Sequence, residues 1–344
     1  MMLKGCYTAI ITPIAKDHNI DLIGLKSLVD FQIEGEVDGI LVMGTTGESP
    51  TFNWSEHKMA IEKTHEYVAG RALTIAGTGS NSTKEAFHGT DFANKLGVKA
   101  MLLVDPYYNG PSSLEIRKEY IEPLAHQFPE IEFIPYVIPG RTGTQLLPQD
   151  LAILKSSLTN VNCVKEATGD LNNMKLTRKL CGDDFTILSG DDDKTYKMMV
   201  SPDIQANGVV SVISNFVPAA VHEMTMELNN GNTERGLEIA KALDPFFKIV
   251  TVKTMEDTPF GPRPVKARNP LACKTLMNVL GMPSGPCRQP LGKMTLSGIN
   301  VILEAVRKVY TENRWILEPI ASFFNVDLQE RLYTKKYIKG LYYA

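Results

Sequence analysis

Residues 39–68 read GILVMGTTGESPTFNWSEHKMAIEKTHEYV and contain one complete strand-and-helix unit. The unit begins with the short apolar run GILVMG and ends with the longer run SEHKMAIEKTHEYV at 55–68. An apolar run bounded by glycine predicts a buried strand, and the longer run is typical of an amphipathic helix. The stretch therefore predicts a strand of a parallel sheet that is covered by the helix that follows it.

The same alternation recurs along the first 230 residues of the chain. The predicted strands lie at 6–14, 39–44, 73–79, 100–106, 133–139, 162–167, 185–190 and 208–214. The predicted helices between them lie at 21–37, 55–68, 83–96, 113–128, 148–158 and 170–180. Eight such units predict a (β/α)8 TIM barrel over residues 1–230, since this fold typically takes ~250 residues. An open doubly wound sheet is the alternative, and the absence of a GxGxxG motif weighs against its dinucleotide-binding form.

Residues 231–344 are predicted to form a C-terminal helical region. Helical patterns cover 232–250, 269–281 and 297–324, and Gly/Pro-rich breaks at 257–270 and 281–292 separate them. This region includes an extension beyond about residue 300. An extra helix packed on the barrel, or an interface with another chain, would account for it.

Composition excludes several functional classes. The 344 residues carry a net charge of -3, which gives no electrostatic case for binding nucleic acid or an anionic membrane. The five cysteines are widely spaced without a CxxC motif, and the six histidines form no HExxH pair, so we predict reduced thiols and no metal site. The first residues, MMLKGCYTAIITPI, lack a long apolar region and a small-residue cleavage site. We therefore expect a cytoplasmic protein.

The active site of such a barrel lies where the strands end. The turn GTTGES (44–49) offers backbone N–H groups and hydroxyls that suit a carboxylate or phosphate, although a helix N-cap is equally consistent. Tyr107 and Tyr108 after strand four are either packing residues or phenols for proton transfer. Arg141, in a turn after Tyr136, either binds a carboxylate or faces solvent.

Lys165 ends the apolar run of strand six and has two interpretations. It either reaches water at a strand end or serves as a buried amine with a lowered pKa, which would attack a carbonyl and form a Schiff base. Strand eight offers small side chains that leave room for a ligand. The acidic run 191–193 after strand seven could bind a metal, but a helix N-cap is the favoured interpretation. Taken together, these groups suit a ketone that bears a carboxylate and is held as an imine.

Four motifs give a more specific indication. GTTGES (44–49), PYYN (106–109), YxxPxRTG (136–143) and VKEATG (164–169) occur in this order. The pattern resembles the dihydrodipicolinate synthases, within the N-acetylneuraminate lyase group of class I pyruvate aldolases. The resemblance covers roughly residues 3–300.

The resemblance implies a reaction in which pyruvate forms an imine with Lys165 and its enamine attacks L-aspartate 4-semialdehyde in lysine and diaminopimelate biosynthesis. It implies no metal and no organic cofactor. The implied catalytic residues are Lys165, Tyr136, Thr45 and Tyr108, and the implied substrate-binding residues are Thr46, Arg141, Gly44 and Val210. Thr45, Tyr136 and Tyr108 would form a proton relay, with Tyr108 or its neighbour Tyr107 reaching into the site of a second copy. The protein is accordingly expected to be a homo-oligomer, either a dimer or a tetramer.

Two other functions stay open at this point. One is a related aldolase that cleaves a 2-keto acid sugar such as N-acetylneuraminate or 2-keto-3-deoxygluconate, and the other is a non-catalytic barrel that senses a small acid. Arg141 favours the synthase over the lyase. Pro135 and Val137, on either side of Tyr136, depart from the family pattern.

The resemblance also implies an inhibitory L-lysine site at a dimer interface. Its predicted residues are Ser49, Pro50, Trp54, His57, Asn81, Glu85 and Tyr107. Their polar side chains are able to hold both charged ends of an amino acid.

Overall fold

The computed structural model describes residues 3–343, and within them eight parallel strands close into a barrel. The strands are β1 Gly5–Ala9, β2 Gly39–Val42, β3 Leu73–Gly77, β4 Ala100–Val104, β5 Glu132–Val137, β6 Cys163–Glu166, β7 Thr186–Ser189 and β8 Gly208–Ser211. Every strand pairs with the next, and β8 pairs with β1. The predicted (β/α)8 barrel is thus confirmed. Residues 1, 2 and 344 of the predicted segments lie outside the described residues.

Helices follow the strands and cover the outside of the barrel. Their bounds are α1 Leu22–Glu34, α2 Trp54–Val68, α3 Thr83–Lys95, α4 Ser113–Glu115, α5 Glu122–Gln127, α6 Pro139–Thr142, α7 Pro148–Ser157, α8 Leu171–Cys181, α9 Thr195–Val200, α10 Pro218–Asn229, α11 Thr233–Phe247, α12 Leu271–Leu280, α13 Leu296–Glu312, α14 Glu318–Phe324 and α15 Leu328–Tyr333. A π-helical turn, Ile116–Ile121, joins α4 and α5. None of the helices in the described part of the chain combines the length and apolar character that a membrane span needs.

Local chemistry sets where these helices begin. At α2, the Asn53 side chain accepts from the backbone N–H of Glu56, and the Glu56 carboxylate accepts from that of Asn53. This reciprocal pair satisfies two N–H groups that have no partner inside the helix. The helix therefore begins at Trp54, one residue before the predicted start.

Two layers of apolar side chains follow from the alternation along each strand. One layer lies between strands and helices, and the other fills the barrel with residues such as Tyr7, Leu102 and Leu188. Closure between β1 and β8 depends on glycine, because a Cβ at Gly208 would overlap the carbonyl oxygen of Gly5. The interior is packed, so an open site exists only at its ends.

The C-terminal region is helical, but it also contains a hairpin that the sequence did not predict. Strands β9 Thr251–Glu256 and β10 Arg263–Arg268 pair antiparallel, between α11 and α12. The sequence pattern left residues 251–256 unassigned and placed residues 263–268 inside a Gly/Pro-rich break. The short alternation in TVKTME and RPVKAR is weak evidence for strands, and the prolines and glycine between them are as typical of a linker as of a hairpin turn.

The extension beyond residue 300 packs on the barrel. The rings of Phe323 and Phe324 in α14 lie 5.2 and 5.0 Å from the Phe31 ring in α1, measured between centroids. Arg331 in α15 donates to the backbone oxygens of Asn278 and Val279 at the end of α12. The extension therefore covers the flank of the barrel and holds α12 in place.

Candidate active site

Lys165 lies inside the barrel, at the end where the strands terminate. In β6 it occupies the position between Cys163 and Ala167, which both belong to the interior layer. Its Cα is in register with that of Tyr136 in β5, and its Nζ lies 4.1 Å from the centroid of the Tyr136 ring. Lys165 is only 4% exposed, so the lysine does not reach solvent as a strand-end residue would.

Burial lowers the pKa of Lys165 from 10.5 to about 7, because an ammonium group loses its hydration there. The negative charges of Asp191 and Asp192 offset part of this effect, and the positive charge of Arg141 adds to it. A substantial fraction of Lys165 is therefore a neutral amine near pH 7. A neutral amine is the form that attacks a carbonyl carbon.

The ring of Tyr136 lies against this amine. Burial raises the pKa of Tyr136 to about 12, although the Arg141 charge and the Thr45 side chain both act to lower it. The phenol is thus protonated at neutral pH and able to donate a proton to a developing oxyanion or to Thr45. These positions suit the predicted relay, whose catalytic role stays a prediction.

Two adjoining cavities open at the mouth and share Tyr136, Ile138 and Arg141. Gly44 and Thr45 line the first cavity, and Thr46 and Lys165 line the second. The predicted threonine turn and the predicted lysine therefore face the same opening. This arrangement places a hydroxyl-rich turn beside the amine, as a 2-keto acid would require.

Val210 is a buried residue of the last barrel strand. It is 1% exposed in β8, in register with Tyr7 in the barrel interior. It is absent from the described linings of both cavities, where Val212 lines the second. Its side chain belongs to the interior layer of the barrel, together with Tyr136 and Ala167, and the substrate-binding role predicted for Val210 stays a prediction.

The GTTGES turn is held from the C-terminal region by a buried ion pair. Lys274 in α12 donates to the Glu48 carboxylate at 2.6 Å, and both side chains are at most 1% exposed. The same Nζ donates to the backbone oxygens of Thr12 and Pro286. The second oxygen of Glu48 accepts from the backbone N–H of Arg288. These bonds fix Glu48, whose φ of 60° is uncommon outside glycine.

Asn269, directly after β10, connects two of the predicted site residues. Its Nδ2 donates to the hydroxyl of buried Thr46 at 2.9 Å, and its backbone oxygen accepts from Arg141 Nη2 at 2.9 Å. Its Oδ1 is buried without a hydrogen-bond partner. The C-terminal region thereby orients both the threonine turn and the arginine.

The acidic run after β7 does not cap its own helix as predicted. The carboxylate of buried Asp192 accepts from Ser211 Oγ at 2.5 Å and from the backbone N–H groups of Val212 and Ile213. It therefore fastens the end of β8. Asp191 lines the second cavity instead, and burial raises the pKa of its carboxyl group.

The two adjacent tyrosines point in different directions. Tyr107 lines the first cavity, whereas Tyr108 is 94% exposed with a φ of 78°. A bulky residue at this φ is strained, at a cost on the order of 1–3 kcal/mol. Within a single chain, Tyr108 thus lies away from Lys165 and Tyr136.

Comparison with known proteins agrees with this geometry. The model of the Dihydrodipicolinate synthetase family matches residues 2–308. The chain belongs to this family. A 4-hydroxy-tetrahydrodipicolinate synthase of Methanococcus maripaludis is 38% identical over 295 residues, which cover 86% of this chain and 94% of that protein.

Solved structures of family members share the fold. The dihydrodipicolinate synthase of Aquifex aeolicus superposes with a TM-score of 0.81 at 34% identity, covering 92% of this chain and 100% of that one. The Cyanidioschyzon merolae structure, solved with lysine bound, gives a TM-score of 0.80 at 32% identity, covering 89% and 98%. Family membership makes this chain an enzyme of the lyase class.

All seven residues of the predicted lysine site line one cleft beside the first cavity. The lining includes Ser49, Pro50, Trp54, His57, Asn81, Glu85 and Tyr107. His57 Nε2 lies 2.7 Å from the Gly77 oxygen, and burial lowers the pKa of this imidazole. The Glu85 carboxylate accepts from Ser80 Oγ at 2.6 Å. The cleft therefore combines a neutral ring with a carboxylate and several neutral polar groups.

Among the lining residues of the second cavity that the sequence did not predict are Lys266, Arg268 and Asn269. The only signal for Lys266 and Arg268 was the alternation of charged and small residues in RPVKAR, inside a segment predicted as a break. Among the described residues, no group of three or more His, Cys, Asp or Glu side chains is placed to hold a metal ion.

Proposed function

We propose that this chain is a 4-hydroxy-tetrahydrodipicolinate synthase that condenses pyruvate with L-aspartate 4-semialdehyde. The observation that carries the proposal is a lysine with a pKa of about 7, buried against a tyrosine at the mouth of the barrel. Arg141 at the rim supports this activity over cleavage of a keto-acid sugar, since a guanidinium suits the carboxylate of the semialdehyde.

The proposed reaction begins when the neutral Lys165 amine attacks the ketone carbon of pyruvate and water leaves. Hydroxyls and N–H groups of the turn at Thr45 and Thr46 would hold the pyruvate carboxylate. Loss of a methyl proton from the imine gives an enamine, whose carbon attacks the aldehyde. The amine of the new chain then attacks the imine carbon, which closes the ring and frees Lys165. Tyr136 is placed to move protons in these steps.

Trapping with borohydride tests the first half of the proposal. Enzyme mixed with pyruvate and reduced should gain the mass of one pyruvyl group per chain on Lys165, and Lys165→Ala should gain none. An unmodified wild-type protein would exclude imine chemistry altogether.

A second assay tests the substrate. L-aspartate 4-semialdehyde and N-acetylneuraminate are compared at equal concentration, with pyruvate added for the semialdehyde. Turnover of the semialdehyde supports the synthase. Release of pyruvate from N-acetylneuraminate without turnover of the semialdehyde would replace the synthase with the lyase.

L-Lysine is the proposed ligand of the cleft between Ser49 and Tyr107. The Glu85 carboxylate would take the ammonium group, and Tyr107 and Asn81 would take the carboxylate end. The lysine-bound relative from Cyanidioschyzon merolae supports this assignment. Calorimetry with millimolar lysine should give a saturable heat of binding. Glu85→Gln should weaken the binding of lysine, whereas the control Glu62→Gln, on the exposed side of α2, should leave it unchanged. Absence of heat with the wild type would exclude the ligand.

The protein is further proposed to be a homo-oligomer in which Tyr108 serves the site of a second copy. Its exposure and strained backbone support a role outside its own chain. Complementation tests this: Lys165→Ala and Tyr108→Phe should each be inactive, and mixed oligomers should regain part of the activity. If mixed oligomers form but regain no activity, Tyr108 does not act in the active site of the second copy.

A cytoplasmic location is proposed from the five cysteines, all of which are free thiols.

A further inference from the structure

The hairpin β9–β10 presents a positively charged face to the second cavity. Val252 and Ala267 are opposite each other in the register and are buried, so they define the face that packs on the protein. Side chains alternate across a strand, so Lys253, Lys266 and Arg268 share the other face. That face is exposed at all three positions.

The charges on this face repel one another. Lys253 lies directly opposite Lys266, and like charges in such a pair destabilise a hairpin. The pKa of Lys266 is lowered, chiefly by the positive charge of Arg268 and further by those of Lys253 and Arg141. An anion bound among these groups would relieve the repulsion.

No carboxylate of the hairpin strands neutralises this face. Glu256 is the one acidic residue in β9 and β10, and it pairs with Arg263 near the turn. Asp191 is the one carboxylate that lines the second cavity within the described residues, against the three cations Arg141, Lys266 and Arg268. The cavity therefore has an excess of positive charge and attracts anions.

The hairpin is bonded to the site at its Arg268 end. Arg268 Nη1 donates to the oxygen of Gly140 at 3.3 Å, beside Arg141. The next residue, Asn269, bonds Arg141 through its backbone and Thr46 through its side chain. Asn269, whose Oδ1 is buried without a hydrogen-bond partner, is itself one of the residues that line this cavity.

We propose that Lys266 and Arg268 complete, together with Arg141, the subsite for the carboxylate of the aldehyde substrate. The inference rests on the proposed synthase function and adds that the hairpin sets specificity for the second substrate. Pyruvate is bound deeper, by the threonine turn and Lys165. Removal of the two hairpin cations therefore affects the second substrate and leaves the first unaffected.

Steady-state kinetics tests the proposal with a double variant, Lys266→Ala with Arg268→Ala. Loss of charge-assisted hydrogen bonds should raise KM for L-aspartate 4-semialdehyde about tenfold or more. KM for pyruvate and the yield of the borohydride-trapped adduct should stay unchanged, which also shows that the variant is folded. Lys253→Ala is the matched control, because it removes a cation from the same face outside the described cavity lining.

A binding measurement separates affinity from turnover. In enzyme whose Lys165 carries the reduced pyruvyl group, the semialdehyde binds without reacting, and calorimetry gives its Kd directly. Kd should weaken about tenfold in the double variant and stay within about twofold in Lys253→Ala. An active double variant with unchanged KM and Kd overturns the proposal and leaves the synthase function standing. A wild-type enzyme that traps pyruvate but neither binds nor converts the semialdehyde overturns the synthase function, and this subsite with it.

Discussion

Replacement of Lys165 by methionine should make the folded protein more stable while it abolishes imine formation. Methionine has a similar length, so it fills the same position in the barrel interior without a charge. The gain arises because the folded state holds Lys165 where its ammonium form is disfavoured. Its pKa is about 7 when folded, against an ordinary value of 10.5.

The sign and size follow from proton linkage. Because the pKa is lower in the folded state, unfolding takes up a proton between about pH 7 and pH 10.5, so stability rises with pH across this range. The destabilisation of the folded state by Lys165 is fully present below about pH 7 and disappears above pH 10.5. At about 1.4 kcal/mol per pKa unit, this destabilisation is at most about 5 kcal/mol at pH 6 and about 2 kcal/mol at pH 9. Methionine has no such cost.

Urea unfolding followed by circular dichroism at pH 6, 7.5 and 9, at one protein concentration, measures the difference. The free energy of unfolding of Lys165→Met should exceed that of the wild type most at pH 6 and less at pH 9. Lys179→Met, on the exposed face of α8, is the control and should change it by less than about 0.5 kcal/mol. A Lys165→Met protein that is no more stable at pH 6, or whose advantage is equal at pH 6 and 9, would refute the reasoning.

Three further predictions concern the turn, the lysine and its neighbour. Lys274→Met leaves the buried Glu48 carboxylate without its cation. The free energy of unfolding, measured by urea titration, should fall by about 3–5 kcal/mol. A decrease below about 1 kcal/mol would contradict a buried ion pair. A Cβ at Gly190 would lie 2.8 Å from Ala167 Cβ and 3.2 Å from Lys165 Cε. Gly190→Ala should therefore displace the lysine and slow pyruvate trapping ~10-fold. An unchanged trapping rate would show that the lysine has room to move. The trapping rate of the wild type should rise with pH through about 7 and then level off, since only the neutral amine attacks; a rate that is flat from pH 6 to 8 would contradict the lowered pKa.

The sequence was informative wherever the signal is local. Each barrel strand is a short apolar run followed by an amphipathic one, and this period is set by residues adjacent in the chain. The order of the eight units and the position of Lys165 at a strand end could therefore be predicted. The ordered motifs from GTTGES to VKEATG were equally local, and the family comparison confirmed the family they implied.

The hairpin was not predicted because its stability is not local. Its strands are six residues each and carry three cations on one face, a pattern with little strand signal. Packing of Val252 and Ala267 against the helices stabilises it. Without that contact, the Gly/Pro-rich segment is indistinguishable from a linker.

By itself, the sequence determined the barrel, the family and the place of Lys165 at the end of β6. Only the tertiary structure decided that this lysine has a pKa of about 7, that Val210 is buried in the barrel interior and that Tyr108 is exposed on its own chain. It also decided that Arg268 and Asn269, about 100 residues further along the chain, reach the same cavity as Lys165. The reason is that desolvation and charge interactions depend on distances in space, which are set when the barrel closes and the C-terminal region packs across its mouth.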